Sequence, residues 1–191
     1  MRKIFSLSVL FLLFAVVPVF GQTVTVGSIS GVDCAPFSQS YINRFYIQGV
    51  RAAAFKAPMT IRQMTFYLGP ALIAPNTPIS FDLWLGTTTI PGQTQTLQKV
   101  FSGTVFPRGF FIMTVPLQVP FYYFLNGDLF FQVVTNSPTT FQGGCEEGLD
   151  PNLWRVVQRV DQNNGGPGPS SFRDGAGLLV TFSSGTPSEE N

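Results

Sequence analysis

The sequence has no histidine, two cysteines, and charged residues at only 11% of its 191 positions. Each shortage removes a class of activity. Without histidine no Ser-His-Asp or Cys-His catalytic arrangement can form. The commonest metal ligand and neutral-pH general base is also missing, which rules out the usual histidine-bearing zinc centres. With 11 basic against 10 acidic residues, the chain has no net field to draw nucleic acid or an anionic membrane. Charged residues usually make up about a quarter of a soluble domain. This surface must therefore be built from Thr, Ser, Gln, Asn and Gly, or be partly covered by a partner.

What the sequence does have begins with a leader pattern. Met1-Arg2-Lys3 is basic, Ile4 to Phe20 is uncharged and almost wholly apolar, and Val19-Phe20-Gly21 offers small or β-branched residues where a signal peptidase reads. This is the three-part secretory pattern, with cleavage after Gly21 leaving Gln22 in front. A membrane-spanning helix needs about 20 apolar residues; this run is shorter and carries Pro18 near its end. The expected organisation is a signal peptide over 1–21, a β-sandwich domain over 22–182 and a flexible polar tail over 183–191. The expected location is extracellular or at the cell surface, with the periplasm as the alternative, and with no membrane contact after cleavage. Loss of Arg2 and Lys3 leaves 9 basic against 10 acidic residues. In an oxidising compartment Cys34 and Cys145 are expected to pair. A loop of about 110 residues closed this way gives about 4–5 kcal/mol by chain entropy.

The rest reads as strands. Gln22 to Ile29 alternates Thr and Val. Arg44–Gln48, Thr60–Leu68, Ile79–Leu85, Gln98–Ser102, Gly109–Val115, Leu129–Thr135, Trp154–Val160 and Gly177–Phe182 follow. Period-2 alternation puts Met64, Phe66 and Leu68 on one face and Thr65 and Tyr67 on the other. The same rule puts Phe81, Leu83 and Leu85 inward and Asp82 and Trp84 outward. Pro and Gly clusters separate these runs, and Asn163 to Pro169 reads as a surface loop. Val50 to Lys56 is the one helix-compatible patch. Short strands at this spacing predict an all-β fold, a single antiparallel β-sandwich, jelly-roll-like, with about 8–10 strands.

One stretch is similar to a known family. Phe55-Lys56-Ala57-Pro58-Met59-Thr60-Ile61 leads into Met64-Thr65-Phe66-Tyr67-Leu68-Gly69, then Phe81-Asp82-Leu83-Trp84-Leu85. Val115-Pro116-Leu117 and Leu125-Asn126-Gly127-Asp128-Leu129-Phe130-Phe131-Gln132-Val133 come later. This resembles secreted bacterial jelly-roll domains of the "choice-of-anchor" type, distantly similar to carbohydrate-binding modules. The likeness spans roughly Ile42 to Thr135 and rests on strand rhythm and turn chemistry. It implies the fold and no catalytic residues. The residues up to Asn191 carry no sorting pattern of that family, a departure that leaves the anchoring mechanism out of what the resemblance implies.

Carboxylates are the remaining source of chemistry. Paired acids can hydrolyse glycosides, and Asp33, Asp82, Asp128, Glu146, Glu147, Asp150, Asp161 and Asp174 are the candidates. None forms a recognisable pair, so an enzyme is not expected and no cofactor is implied. Glu146, Glu147 and Asp150 could offer oxygen ligands to calcium, as could Asp161 with Asn163 and Asn164. Aromatic rings suit sugars, and Trp84, Asp82, Tyr67 and Trp154 are the glycan-binding candidates, with Trp84 expected to be the most exposed. Phe121-Tyr122-Tyr123-Phe124 must send rings to both sides of its strand. Thr23, Val24, Thr25 and Val26 form a strand that closes its own sheet or pairs with a neighbouring subunit. Together these residues predict a non-catalytic secreted structural or protein-interaction β-sandwich that self-assembles as a homo-oligomer or filament, or binds surface proteins. The alternative is a glycan-binding protein that holds polysaccharide on exposed aromatics. No nucleic-acid partner is expected.

Overall fold

The computed structural model describes residues 21–33, 36–37, 43–68, 78–91, 96–107, 112–135, 145–160 and 167–185. Residues 1–20 of the expected leader over 1–21, and residues 186–191 of the expected tail over 183–191, lie outside these. The described elements are β1 (Thr23–Val26), β2 (Gly31–Asp33), β3 (Asn43–Val50), a 3-10 turn (Ala52–Ala54), β4 (Met59–Tyr67), β5 (Ile79–Thr88), β6 (Leu97–Val105), β7 (Ile112–Tyr123), β8 (Asp128–Thr135), β9 (Cys145–Val160), β10 (Pro167–Leu178) and β11 (Val180–Ser183). Among the described residues no helix is long and apolar enough to cross a membrane.

Two antiparallel sheets face each other, one in the order β1-β11-β4-β7, the other β10-β9-β3-β8-β5-β6 with β2 also on β9. The pairs nest: β5 with β6, β4 with β7, β3 with β8 and β1 with β11. A long hairpin rolled up in this way is the jelly roll that the strand rhythm predicts. The β9–β10 ribbon is inserted before the closing strand and widens the second sheet, so eleven strands are described rather than the expected eight to ten.

The core follows the alternation read from sequence. Met64, Phe66 and Leu68 are buried with Phe81, Leu83 and Leu85. Facing aromatics interlock edge to face, Phe66 on Phe131 at 5.7 Å and Phe55 on Tyr123 at 4.8 Å between ring centroids, the geometry that ring quadrupoles favour. Gln48 is one of three buried polar side chains among the described residues, with Thr88 and Arg155. Its Oε1 accepts from Tyr46 Oη at 2.7 Å and from the Leu178 amide at 2.6 Å, while its Nε2 donates to the Leu178 carbonyl at 2.9 Å. The side-chain amide thus stands in for a strand partner and ties the end of β10 to β3.

Three elements depart from the sequence expectation. Val50 to Lys56 forms only the short 3-10 turn, because Pro58 stops a helix and β4 begins at Met59. The Gly/Pro-rich segment from Pro167 is strand β10, paired with β9 over most of its length; proline is tolerated on an edge strand. The last strand reaches Ser183, and Ser184 donates its amide to the Gln22 carbonyl at 2.9 Å. The expected tail therefore begins later than 183.

Candidate functional site

The described carboxylates are spent on the fold. Asp128 accepts the Ala52 amide on Oδ1 at 3.2 Å and the Trp154 indole N–H on Oδ2 at 3.0 Å. Asp150 accepts Gly27 N–H on Oδ2 at 2.9 Å and Asn152 N–H on Oδ1 at 2.8 Å. Asp174 binds Arg51 at 2.7 Å and its neighbour Gly175 N–H at 3.1 Å. Asp82 takes Lys99 Nζ on Oδ2 and Ser102 Oγ on Oδ1, both at 2.7 Å. Carboxylates that accept backbone or pinned side-chain donors in this way act as clamps. Among the described residues no group of three His, Cys, Asp or Glu could hold a metal. Asp150, the calcium candidate, already uses both oxygens. The side chains of Glu146, Glu147 and Asp33, and all of Asp161, Asn163 and Asn164, lie outside the described residues.

The glycan candidates are scattered. Asp82 and Trp84 sit on the outer face of the seven-stranded sheet, where Lys99 Nζ lies 4.8 Å from the Trp84 ring centroid. The cation covers that ring with a contact worth about 0.5–1 kcal/mol at such a surface, and the Trp84 indole nitrogen is buried without a hydrogen-bond partner. Tyr67 is on the other sheet, and its hydroxyl is 3.1 Å from Thr181 Oγ1. Trp154 is fully buried. It belongs to a second apolar cluster with Ile47 and Phe130, flanked by Leu97 and Val156, on the outer side of the seven-stranded sheet. One cross-strand row explains the cluster: Trp154 opposite Gly49, Gly49 opposite Phe130, Phe130 opposite Gly86, Gly86 opposite Leu97. Large and small residues alternate, so each ring lies across a glycine. A methyl group on Gly49 would fall inside the Trp154 indole.

The aromatic quartet behaves as its alternation demands. Phe121 and Tyr123 are buried, whereas Tyr122 and Phe124 are 60% and 69% exposed. Among the described residues these two, not Trp84, are the most exposed aromatics. They stand two residues apart at the end of β7, roughly 7 Å along the strand. Next to them Leu125 holds a left-handed conformation at φ 60°, a cost of about 1–2 kcal/mol for a residue with a Cβ. Leu125 packs back on the core, leaving Phe124 outside. Tyr123 donates its hydroxyl to the Gly127 carbonyl at 2.7 Å and so fixes the same turn. Burial, together with the nearby Asp128 charge, pushes the Tyr123 phenol up to about 12.

The N-terminal strand pairs within its own domain, in register with β11 over all four residues from Thr23 to Val26. Its other side has no strand partner among the described residues. Cys34 and the Cys145 side chain lie outside the described residues. The backbone places Asp33, which precedes Cys34, opposite Cys145.

Compared with protein-family models, curated proteins and solved structures, the chain matches none.

Proposed function

We propose that this chain is a non-catalytic, exported β-sandwich that works by association, as a structural or protein-interaction component at or beyond the cell surface, and that copies of it bind one another. One observation carries this reading. Every described carboxylate is tied into the fold, while the surface leaves large apolar side chains such as Tyr122, Phe124, Ile29 and Leu149 in solvent. A single exposed apolar residue means little. A surface poor in charge, with spent acids and exposed rings, offers contact rather than chemistry. Low charge also removes the repulsion that keeps soluble domains apart. The Cys34–Cys145 bridge belongs to the same reading, since the facing backbones of β2 and β9 bring the two segments together.

Light scattering on the chain from Gln22 onward, eluted at several loading concentrations, tests this. A mass above one chain that rises with loading is expected, together with no release of reducing ends from a polysaccharide panel. A monomer at every loading, or glycoside cleavage lost with Asp82→Asn, would overturn it. A glycan reading keeps one foothold at Trp84, the one candidate ring that is part-exposed beside a polar pair. It requires Trp84→Ala to abolish retention on polysaccharide gels.

A further inference from the structure

We propose that the free edge of β1 is the surface through which two copies of this chain join, the backbone of Thr23 and Thr25 in one copy pairing antiparallel with that of the other. This rests on the association reading above and names its contact.

The hydrogen-bond parity of β1 shows what the edge offers. Ser184 donates its amide to the Gln22 carbonyl, so Gln22 and Ser184 form a hydrogen-bonded pair. In an antiparallel ladder such pairs alternate with non-bonded ones. Val24 opposite Phe182 and Val26 opposite Val180 are therefore the next bonded pairs. The N–H and C=O groups of Thr23 and Thr25 point away from β11. Gly27 has the same parity, and its outward N–H is taken by Asp150 at 2.9 Å. Asp150 thus ends the edge and leaves Thr23 and Thr25 as its open backbone groups. Both residues are exposed.

Among the described residues, the other three strands that end the two sheet orders each carry a recognisable blocking device. Gln118 covers β6: its Oε1 accepts the Ser102 amide at 3.1 Å and its Nε2 donates to the Ser102 carbonyl at 3.0 Å. The pairing of β7 jumps from Pro116 to Phe121 against β4, a bulge that also contains Pro120. The edge strand β10 carries Pro167, Pro169 and the exposed Arg173 and Asp174. Among the described residues of the four strands that end the two sheet orders, β1 alone presents an uncharged edge free of proline.

The edge also fits itself. An antiparallel pairing centred on Val24 sets Thr23 opposite the partner's Thr25, and Thr25 opposite the partner's Thr23. Each such pair exchanges both N–H···O bonds. No side chain from Gln22 to Ser30 is charged, so no like-charged side chains face each other in self-pairing. A four-residue edge buries less than the about 1,000 Å² a stable interface needs. Apolar area lies beside it: Ser28 Oγ donates to the Leu149 carbonyl at 2.9 Å, holding Leu149 near Ile29, and both side chains are 69% exposed. In this pairing the partner's Gln22 falls opposite Val26, so residues upstream of it would run into Leu149 and Asp150. The contact thus belongs to the chain freed of residues 1–21.

Amide exchange on the chain from Gln22, read by NMR at low and high concentration, tests the proposal without a substitution. Thr23 and Thr25 amides are expected to exchange at least tenfold more slowly at high concentration, with Val24 and Val26 protected at both. Thr25→Pro removes an outward N–H, which an edge strand tolerates, Thr25→Lys adds a charge there, and both lose the exposed hydroxyl contact to Thr181, a solvent-facing bond of small net worth. Each should raise the dissociation constant at least tenfold while leaving the urea midpoint within its error. Exchange at Thr23 and Thr25 that ignores concentration would overturn the proposal. So would association unchanged in both variants, which would spare the wider association reading. A wild-type chain that never associates would sink both.

Discussion

Replacing Gly49 by alanine is the sharpest probe of the second apolar layer. The added methyl would occupy the space of the Trp154 indole, and the neighbouring Phe130 is itself fully buried, so the ring has no room to slide. Expelling it gives up the burial of a tryptophan, about 150–250 Å². At about 25 cal/mol per Å² that is about 4–6 kcal/mol, an upper bound because unfolded chains already bury some surface. The indole bond to Asp128 adds about 1 kcal/mol net. Partial relaxation brings the expected loss to about 3–5 kcal/mol, the usual range for deleting a large buried aromatic. That is a large share of the about 5–15 kcal/mol that holds a domain together. The assay is urea unfolding by fluorescence in a Trp84→Phe background, where Trp154 is the only indole. Gly49→Ala should lower the stability by that amount and shift the native emission to the red. Adding Gly49→Ala to Trp154→Ala should cost less than about 1 kcal/mol further, since the clash is gone. A loss below about 1 kcal/mol from Gly49→Ala alone, with unshifted emission, would refute the packing argued for this row.

Other substitutions address the remaining links. Gln48→Leu removes the acceptor of the Tyr46 hydroxyl and the side-chain partner of both Leu178 backbone groups; it should cost roughly 3 kcal/mol in chemical denaturation, with part regained by adding Tyr46→Phe. Tyr123 titrates at about 12 in the folded chain against about 10 unfolded, so its contribution is whole below pH 10 and fades as pH rises from 10 to 12. The loss is no more than about 3 kcal/mol, and Tyr123→Phe should flatten that part of the stability profile. The proposed Cys34–Cys145 bridge predicts that reductant lowers the unfolding free energy of the chain from Gln22 by about 2–4 kcal/mol, and that Cys34→Ser abolishes the effect of reductant. Gly175 has open space around it but φ at 69°, so Gly175→Ala should cost about 1–2 kcal/mol and Gly175→Asn less.

The strands that could be read from sequence are those with one buried face. In β4 and β5 the period-2 pattern separated Met64, Phe66, Phe81 and Leu83 from Thr65, Tyr67, Asp82 and Trp84, and the fold kept that division. The quartet at 121–124 likewise had to expose rings, and Tyr122 and Phe124 are exposed. Most of β10 escaped notice because its first five residues, Pro167 to Ser171, are glycine, proline and serine; only its end at Gly177 and Leu178 fell within an expected strand. It is a strand through its pairing with β9 and the reach of Gln48, and neither is local. Trp154 was misjudged for a related reason. Alternation says which side of a sheet a residue takes, but not that a second apolar layer covers that side. Gly49 and Gly86, glycines inside strands, were the available sign of close approach. The roles of Asp128 and Asp150 depend on partners far along the chain, Ala52 and Gly27, and no spacing rule finds them. The open edge of β1 is visible only once β11 is known to take its other side.

Sedimentation equilibrium of the chain from Gln22, wild type beside Thr25→Lys, measures the central claim most directly. Association through an open edge requires the wild-type mass to climb from one chain toward two as concentration rises, with the variant held at one chain. A wild-type mass that stays at one chain across the range would contradict it.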